Sequence, residues 1–261
     1  MSTDPGTVES YNRNAKQYNA HVSDPGESIF HSYYEKPALR AELPDLAGKN
    51  VLCIGCGSGV DAQWLADNGA QSVVGVDISE RLIEIGKHER PILDLQVMDM
   101  EHLEFDDNSF DLACSSLAIH YLKTMTPALK EARRVLRPGG LYVVSSMHPI
   151  DSSMELWEDE NIKSARLDWQ KDETTQERMV RGNYMSQDDH GTRAITGFLG
   201  DINVTAYHRT FSVMLQQILD SGFKIEHCVE PLPLPELKDI NPSIYEQLIK
   251  VPSFIIWVLR K

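Results

Sequence analysis

Basic residues are scarce in this chain: 25 Lys and Arg stand against 39 Asp and Glu, giving a net charge of −14 and a pI near 5.0. Nucleic-acid binding draws much of its affinity from phosphate neutralisation, so this balance argues against a protein built mainly for that task. It argues equally against docking on an anionic membrane. Long apolar runs are also missing, and none approaches the ~18 residues that a spanning helix needs. Met1 to Ser10 carries Asp4 and Glu9 without an apolar core, so no secretory signal is expected there. Cysteine is rare. Cys53, Cys56, Cys114 and Cys228 are too few and too scattered for a disulfide scaffold and suit a reducing compartment, so a cytoplasmic location is expected. Cys53 and Cys56 spell C-x-x-C, the spacing of a redox pair or half a zinc site. No second such pair exists and no His pair at ligand spacing follows, so the expectation is two ordinary thiols and no metal.

What is present is an alternation of elements. The chain has 261 residues, 41% of them hydrophobic, enough for one large α/β domain or two small ones. A chain of this length buries most of its unfolded surface and needs no disulfide or metal to fold. Residues 1–49 are polar and tyrosine-rich, with Tyr11, Tyr18, Tyr33 and Tyr34. From residue 50 the pattern predicts a strand over Asn50 to Ile54, a helix over Val60 to Asn68 stopped by Gly69, and a strand over Ser72 to Asp77. A helix capped by Ser79 then precedes strands over Leu93 to Met98 and Phe110 to Ser115. Pro127 to Leu136 reads as a helix stopped by Pro138-Gly139-Gly140, before a fifth strand over Leu141 to Ser146. Strands written as continuous apolar runs and alternating with helices imply parallel pairing, covered on both faces.

Pro149 to Tyr207 breaks the pattern. Between Asp151 and Asp189 it holds 11 acidic and 5 basic residues, and it carries Trp157 and Trp169. The aromatics give it something to bury, so an ordered insertion is expected. Phe211, Met214, Leu215, Ile218 and Leu219 then follow helical spacing, with Thr210 to cap the start and Gly222 the end. Phe223 to Val229 and Ser253 to Leu259 read as two closing strands. Pro231, Pro233, Pro235 and Pro242 between them exclude a tight hairpin. The basic helix face of Lys130, Arg133, Arg134 and Arg137 is expected to be solvated.

The strongest signal is a strand, then Gly55-x-Gly57-x-Gly59, a helix, and a second strand ending in Asp77. Glycines let the backbone turn sharply and approach a ligand. The following helix offers free N–H groups and a positive dipole end. An acidic residue about 20 positions on accepts hydrogen bonds from a ribose diol. The dinucleotide fingerprint G-x-G-x-x-G is out of register, because Val60 follows Gly59. By itself the pattern says only that an adenosine-type ligand sits over a doubly wound sheet.

The chain resembles the class I S-adenosylmethionine-dependent methyltransferases, in their bacterial small-molecule branch (methyltransferase type 11-like). The resemblance rests on Val51-Leu52-Cys53-Ile54-Gly55-Cys56-Gly57-Ser58-Gly59, Gly75-Val76-Asp77-Ile78-Ser79, Met98-Asp99-Met100, Ser109-Phe110-Asp111-Leu112 and Val135-Leu136-Arg137-Pro138-Gly139-Gly140, in order over residues 50–147. It implies a Rossmann-like, seven-stranded, mostly parallel sheet over 50–261, an N-terminal helical lid over 1–49, and a substrate-side insertion over 149–209. It implies S-adenosylmethionine as cofactor and S-adenosylhomocysteine as product. Gly55, Cys56 and Gly57 would approach the methionine part, Asp77 the ribose hydroxyls, Ile78 the adenine face, Asp99 the exocyclic amine and Met100 the ring edge, with Ser115 at the next strand end. The family often folds an N-terminal helix over the cofactor. Tyr11 and Tyr18 lie seven apart and would share one helix face. One departure stands out: the family usually has an acid where this chain has Cys53.

Methyl transfer is an in-line displacement that asks mainly for position and desolvation, and a base helps only when the nucleophile must lose a proton. Topology puts His120 after the fourth strand, His148 after the fifth and His208 before the last long helix, and these are the candidate catalytic or substrate-orienting residues. The expected acceptor is a small molecule, with no nucleic acid and no membrane as partner. The alternatives are a nicotinamide oxidoreductase, a same-fold enzyme using another arm of the cofactor as aminopropyl transferases do, and a non-catalytic cofactor-binding protein.

Overall fold

The computed structural model describes residues 2–159, 162–185, 188, 191–199 and 202–261; side chains at 156–164, 169 and 197–199 also lie outside that description. The chain opens with helices α1 (Pro5–Arg13) and α2 (Ala15–Ser23), a π-helical turn at His31–Glu35 and helix α3 (Lys36–Ala41). Strand β1 (Asn50–Ile54), helix α4 (Val60–Asp67), strand β2 (Ser72–Asp77), helix α5 (Glu80–Glu89) and strands β3 (Asp94–Val97) and β4 (Phe110–Ser115) follow. Helix α6 (Thr126–Val135) leads directly into β5 (Leu136–Met147). After the insertion come helix α7 (Phe211–Asp220), and later the two strands that complete the sheet.

Local chemistry sets the boundaries. Asp4 caps α1 by accepting from the Thr7 N–H, with Pro5 pre-set for the first turn. Ser79 accepts from the Leu82 N–H at the start of α5, and Thr210 from the Val213 N–H at the start of α7. Gly222, at φ +84°, ends α7 in the left-handed conformation expected of a stop glycine. The fifth strand begins earlier than the sequence pattern indicates. Leu136 already pairs with Phe110, so Pro138-Gly139-Gly140 forms an irregularity within β5 rather than a break before it.

The strand order is β12-β13-β5-β4-β1-β2-β3, where β12 is Lys224–Val229 and β13 is Phe254–Arg260. β13 pairs antiparallel on both sides, and the pairs among β1 to β5 are parallel. This is the seven-stranded, mostly parallel doubly wound sheet expected from the alternation. Successive side chains of a strand face opposite sides. Leu52 and Ile54 enter one core with Leu129, Ala132, Met214 and Ile218 of α6 and α7. Val51 and Cys53 enter the other with Leu39, Leu65 and Ile83 of α3, α4 and α5. Both faces are covered, hence the unbroken apolar runs. Between β12 and β13 the chain forms two short helices, α8 (Leu237–Ile240) and α9 (Pro242–Leu248). Leu237 and Leu248 there bury against Tyr34, and the Ser253 N–H donates to the Tyr34 hydroxyl at 3.1 Å.

The insertion is built of antiparallel hairpins: β6 (Glu155–Asp159) with β7 (Ile162–Arg166), β8 (Asp168–Lys171) with β9 (Arg178–Arg181), and β10 (Arg193–Leu199) with β11 (Ile202–His208). Strand β11 alternates buried and open positions, with Ile202, Val204, Ala206 and His208 inward. The side chains of Trp157 and Trp169, expected to anchor the insertion, lie outside the described residues. The basic face of α6 is less solvated than expected. Arg134 donates to the Leu103 and Phe105 carbonyls and pairs with Glu131 and Asp107.

Gly86 of α5 faces Leu95 of β3 and the Ser58 carbonyl, and a Cβ there would stand 2.5 Å from both. Helix propensity alone favours alanine by about 1 kcal/mol, but backbone cannot yield as a side chain can. Gly86→Ala is expected to lower the unfolding free energy by roughly 1–3 kcal/mol in urea titration; unchanged or higher stability would show that the helix and loop separate easily.

Candidate active site

The carboxyl ends of β1 to β4 open into a cavity of about 970 Å³, measured to its open mouth. Ligands of such folds bind there. Its floor is the turn after β1, where Gly55, Gly57 and Gly59 have φ of +68°, +56° and +89°. At Gly55 the constraint is also contact, since a Cβ would come within 2.4 Å of the Ala118 Cβ. The next strand end supplies Asp77, whose carboxylate accepts from the N–H groups of Gly57 and Ser79 at 2.8 Å each. Burial pushes the Asp77 carboxyl up, against the backbone donors of Ser79, Gly57 and Ile78. Ile78, Asp99 and Met100 complete that end of the wall, and Asp99 accepts from the Glu101 N–H.

The N-terminal segment forms the opposite wall. Tyr11 and Tyr18 both line the cavity and meet edge to face, with centroids 5.0 Å apart. They do not share one helix as their spacing implies. They sit on α1 and α2, which break at Asn14, and the bend brings the rings together. The Tyr11 hydroxyl lies 2.8 Å from that of Tyr121, and burial raises both phenols, Tyr121 to about 12. Asn12 accepts from the Ser79 hydroxyl at 2.7 Å, fastening α1 to the end of β2. From the insertion, the Thr205 N–H donates to the Thr7 hydroxyl at 2.8 Å. The segment 149–209 reaches the cavity through this contact, and none of its described residues lines it.

The π-helical turn carries residues that sequence reasoning passed over. Such turns cluster at functional sites. Glu35 is fully buried and accepts from Ser145 at 2.5 Å and Ser116 at 2.9 Å. Ser145 in turn accepts from the Leu117 N–H, and Leu117 stands at φ +49°. Glu35 thereby holds the backbone of Ser116 to Ala118, which packs against Gly55. Burial pushes the Glu35 carboxyl up to about 7, and burial holds the nearby His31, 3.9 Å away, down to about 4. His31, Lys36 and Asp61 line the cavity beside them.

None of the three expected histidines lines this cavity. His120 is buried beneath Tyr121, 4.4 Å ring to ring, and burial next to Arg209 drives it down to about 3. His148 bonds to Glu230 and accepts from the Ile150 N–H. His208 donates from Nε2 to the Tyr184 carbonyl and accepts at Nδ1 from Ser152, which pins the insertion to its own root. Ser115 is fully buried one residue short of the wall, and its neighbour Ser116 takes that place. Cys56 lines the cavity, whereas Cys53 is buried on the far side of β1 opposite Cys114, which raises its thiol together with burial. The four cysteines are free thiols. Among the described residues no group of three or more potential ligands could hold a metal ion, and no helix is long and apolar enough to cross a membrane.

Residues 52–144 match the model of a methyltransferase domain. The fold is shared with an S-adenosylmethionine-dependent methyltransferase from Mesorhizobium loti, at a TM-score of 0.67 and 29% identity over 86% of this chain and 96% of that one. The chain carries a methyltransferase domain with the fold of the class I S-adenosylmethionine-dependent methyltransferases. A probable phthiotriol/phenolphthiotriol dimycocerosates methyltransferase of Mycobacterium ulcerans is 35% identical over 48% of each chain. A demethylmenaquinone methyltransferase of Paenarthrobacter aurescens is 35% identical over 42% of each. These alignments thus span about half of the relatives' length or less. The seven-stranded methyltransferase fold and its coenzyme, S-adenosylmethionine, agree with the reading from sequence.

Because Glu35 is protonated more readily in the folded chain than in the unfolded one, folding gains stability from it at low pH and loses that contribution as pH rises through about 7. Glu35→Gln is expected to remove this loss. Between pH 4.5 and 7.5 the wild type should lose up to roughly 3 kcal/mol more unfolding free energy than the variant. Parallel pH profiles of the two proteins would show that the carboxyl is not desolvated.

Proposed function

We propose that this methyltransferase acts on a small organic acceptor at the mouth of the cavity over β1 to β4. The observation that carries this is the joint geometry of Gly55, Asp77 and Asp99 at three neighbouring strand ends. S-adenosylmethionine, when bound, supplies a methyl group on a sulfonium sulfur, so the leaving group is already good. The residues fit it. Each Asp77 oxygen has a lone pair left beyond its backbone bond, suited to the ribose hydroxyls. Ile78 offers an apolar surface to adenine, Asp99 an acceptor for the exocyclic amine and Met100 its N–H for the ring. Gly55, Cys56 and Gly57 line the end of the cavity suited to the methionine part, and only glycine at position 55 lets Ala118 pack against that turn.

In this reading the chain contributes position and exclusion of water, and orientation alone can be worth about 7–11 kcal/mol of barrier. Tyr11 and Tyr18 close the cavity from residues 1–49, which act as the lid of the domain over 50–261. Ser115, His120, His148 and His208 act behind the walls: Ser115 at the root of the Ser116 turn, His120 beneath Tyr121, His148 and His208 at the root of the insertion. Thr205, bonded to Thr7, sets the 149–209 insertion on the acceptor side. The net charge of −14 favours a neutral or cationic acceptor and disfavours nucleic acid. The names of the mycobacterial and Paenarthrobacter relatives support a small-molecule acceptor. A cytoplasmic setting fits the free thiols.

Calorimetry with S-adenosylhomocysteine tests the site. Wild type should bind it and not NAD, and Asp77→Ala should weaken binding by roughly 1–3 kcal/mol. A folded variant binding within a factor of two of wild type overturns the ribose assignment. Methylation of a metabolite extract, with no transfer to tRNA, is the expected acceptor profile; efficient tRNA methylation with steep salt dependence contradicts it.

A further inference from the structure

The cavity has two chemically distinct ends. Over β2 and β3 it is lined by Asp77, Ile78, Asp99 and Met100; on the side of β1 and β4 it is lined by Lys36, Asp61 and Ser116. Lys36 begins α3, and only 8% of it is exposed. Its Nζ lies 3.3 Å from Oδ2 of Asp61, which sits in the first turn of α4 directly after the glycine loop. The other Asp61 oxygen is held at 3.1 Å by Arg40. Arg40 itself lies 4.4 Å over the Trp64 ring and does not line the cavity. Burial would push the Asp61 carboxyl up, but Lys36 and Arg40 outweigh it and hold the group below the usual carboxylate range.

A positive and a negative group therefore face the cavity side by side, and Arg40 lets Asp61 keep a partner if Lys36 turns away. An ammonium and a carboxylate on one carbon are the complement of that pair. Cys53, buried against Cys114, does not line this cavity and carries no charge with which to serve this end. We infer that Lys36 and Asp61 form the binding site for the α-amino-acid end of the coenzyme, Asp61 taking the ammonium and Lys36 the carboxylate. The inference rests on the coenzyme reading above and names the residues that hold its charged end. Two segments that are far apart in sequence then share one ligand: the N-terminal segment supplies the cation and the sheet domain the anion.

The test compares two nucleoside thioethers by calorimetry. S-adenosylhomocysteine carries the amino-acid end, and 5′-methylthioadenosine has the same nucleoside and sulfur without it. Lys36→Met and Asp61→Asn should each weaken S-adenosylhomocysteine binding by about ten- to a hundredfold, while methylthioadenosine binding stays within about twofold of wild type. Lys36→Arg should restore much of the loss. If both ligands weaken equally, or S-adenosylhomocysteine binding does not change, the pair is a structural latch and the inference falls. If Asp61→Asn does not fold, the Lys36 variants decide alone. A wild-type protein that binds neither thioether overturns the coenzyme reading itself, an outcome distinct from loss of selectivity between the two.

Discussion

The Asp77 carboxylate is the contact on which the site depends. By accepting from Gly57 and Ser79 it ties the turn after β1 to the end of β2. Three left-handed glycines could otherwise relax in many directions, because glycine carries the largest conformational freedom to lose. Ser79, fixed by this bond, caps α5 and donates to Asn12. One half-buried carboxylate thus sets the loop, the start of a helix and the seat of the N-terminal helices. A charge this desolvated is costly to bury without hydrogen bonds, and its backbone donors offset that cost.

The remaining walls are fixed from outside the sheet. Glu35 reaches in from the π-helical turn and, through Ser116 and Ser145, holds the segment after β4 against Gly55. Tyr11 meets Tyr121 from above, and Thr7 takes the edge of β11. The N-terminal helices, the sheet and the insertion are therefore connected around the site. Side chains make these contacts, and the backbone adds to them, with the Lys123 N–H donating to the Ser2 carbonyl.

Much of this was legible in the sequence. Apolar runs set the strands, because both sheet faces are covered, and caps such as Ser79 and Thr210 declared themselves by residue type. The glycine turn and Asp77 were legible because few residues can satisfy a positive φ or a close backbone approach. Three things were not. Tyr11 and Tyr18 follow the helical repeat, but a break at Asn14 has no strong local signal, and the rings meet across it. Lys36 and Asp61 belong to no common periodicity, and only tertiary packing pairs them. His120, His148 and His208 were placed correctly along the chain by topology, but position at a strand end does not say which way a ring turns. His148 turns to Glu230, His208 to Ser152 and Tyr184, and His120 lies under Tyr121.

The central claim is that the cavity over β1 to β4 seats the coenzyme with its nucleoside at Asp77 and Asp99. A crystal structure of the complex with S-adenosylhomocysteine tests it most directly. The account predicts both ribose hydroxyls on the Asp77 carboxylate and the adenine beside Ile78 with its amine toward Asp99. A nucleoside bound elsewhere, or a ribose with no oxygen in hydrogen-bond reach of Asp77, would contradict it.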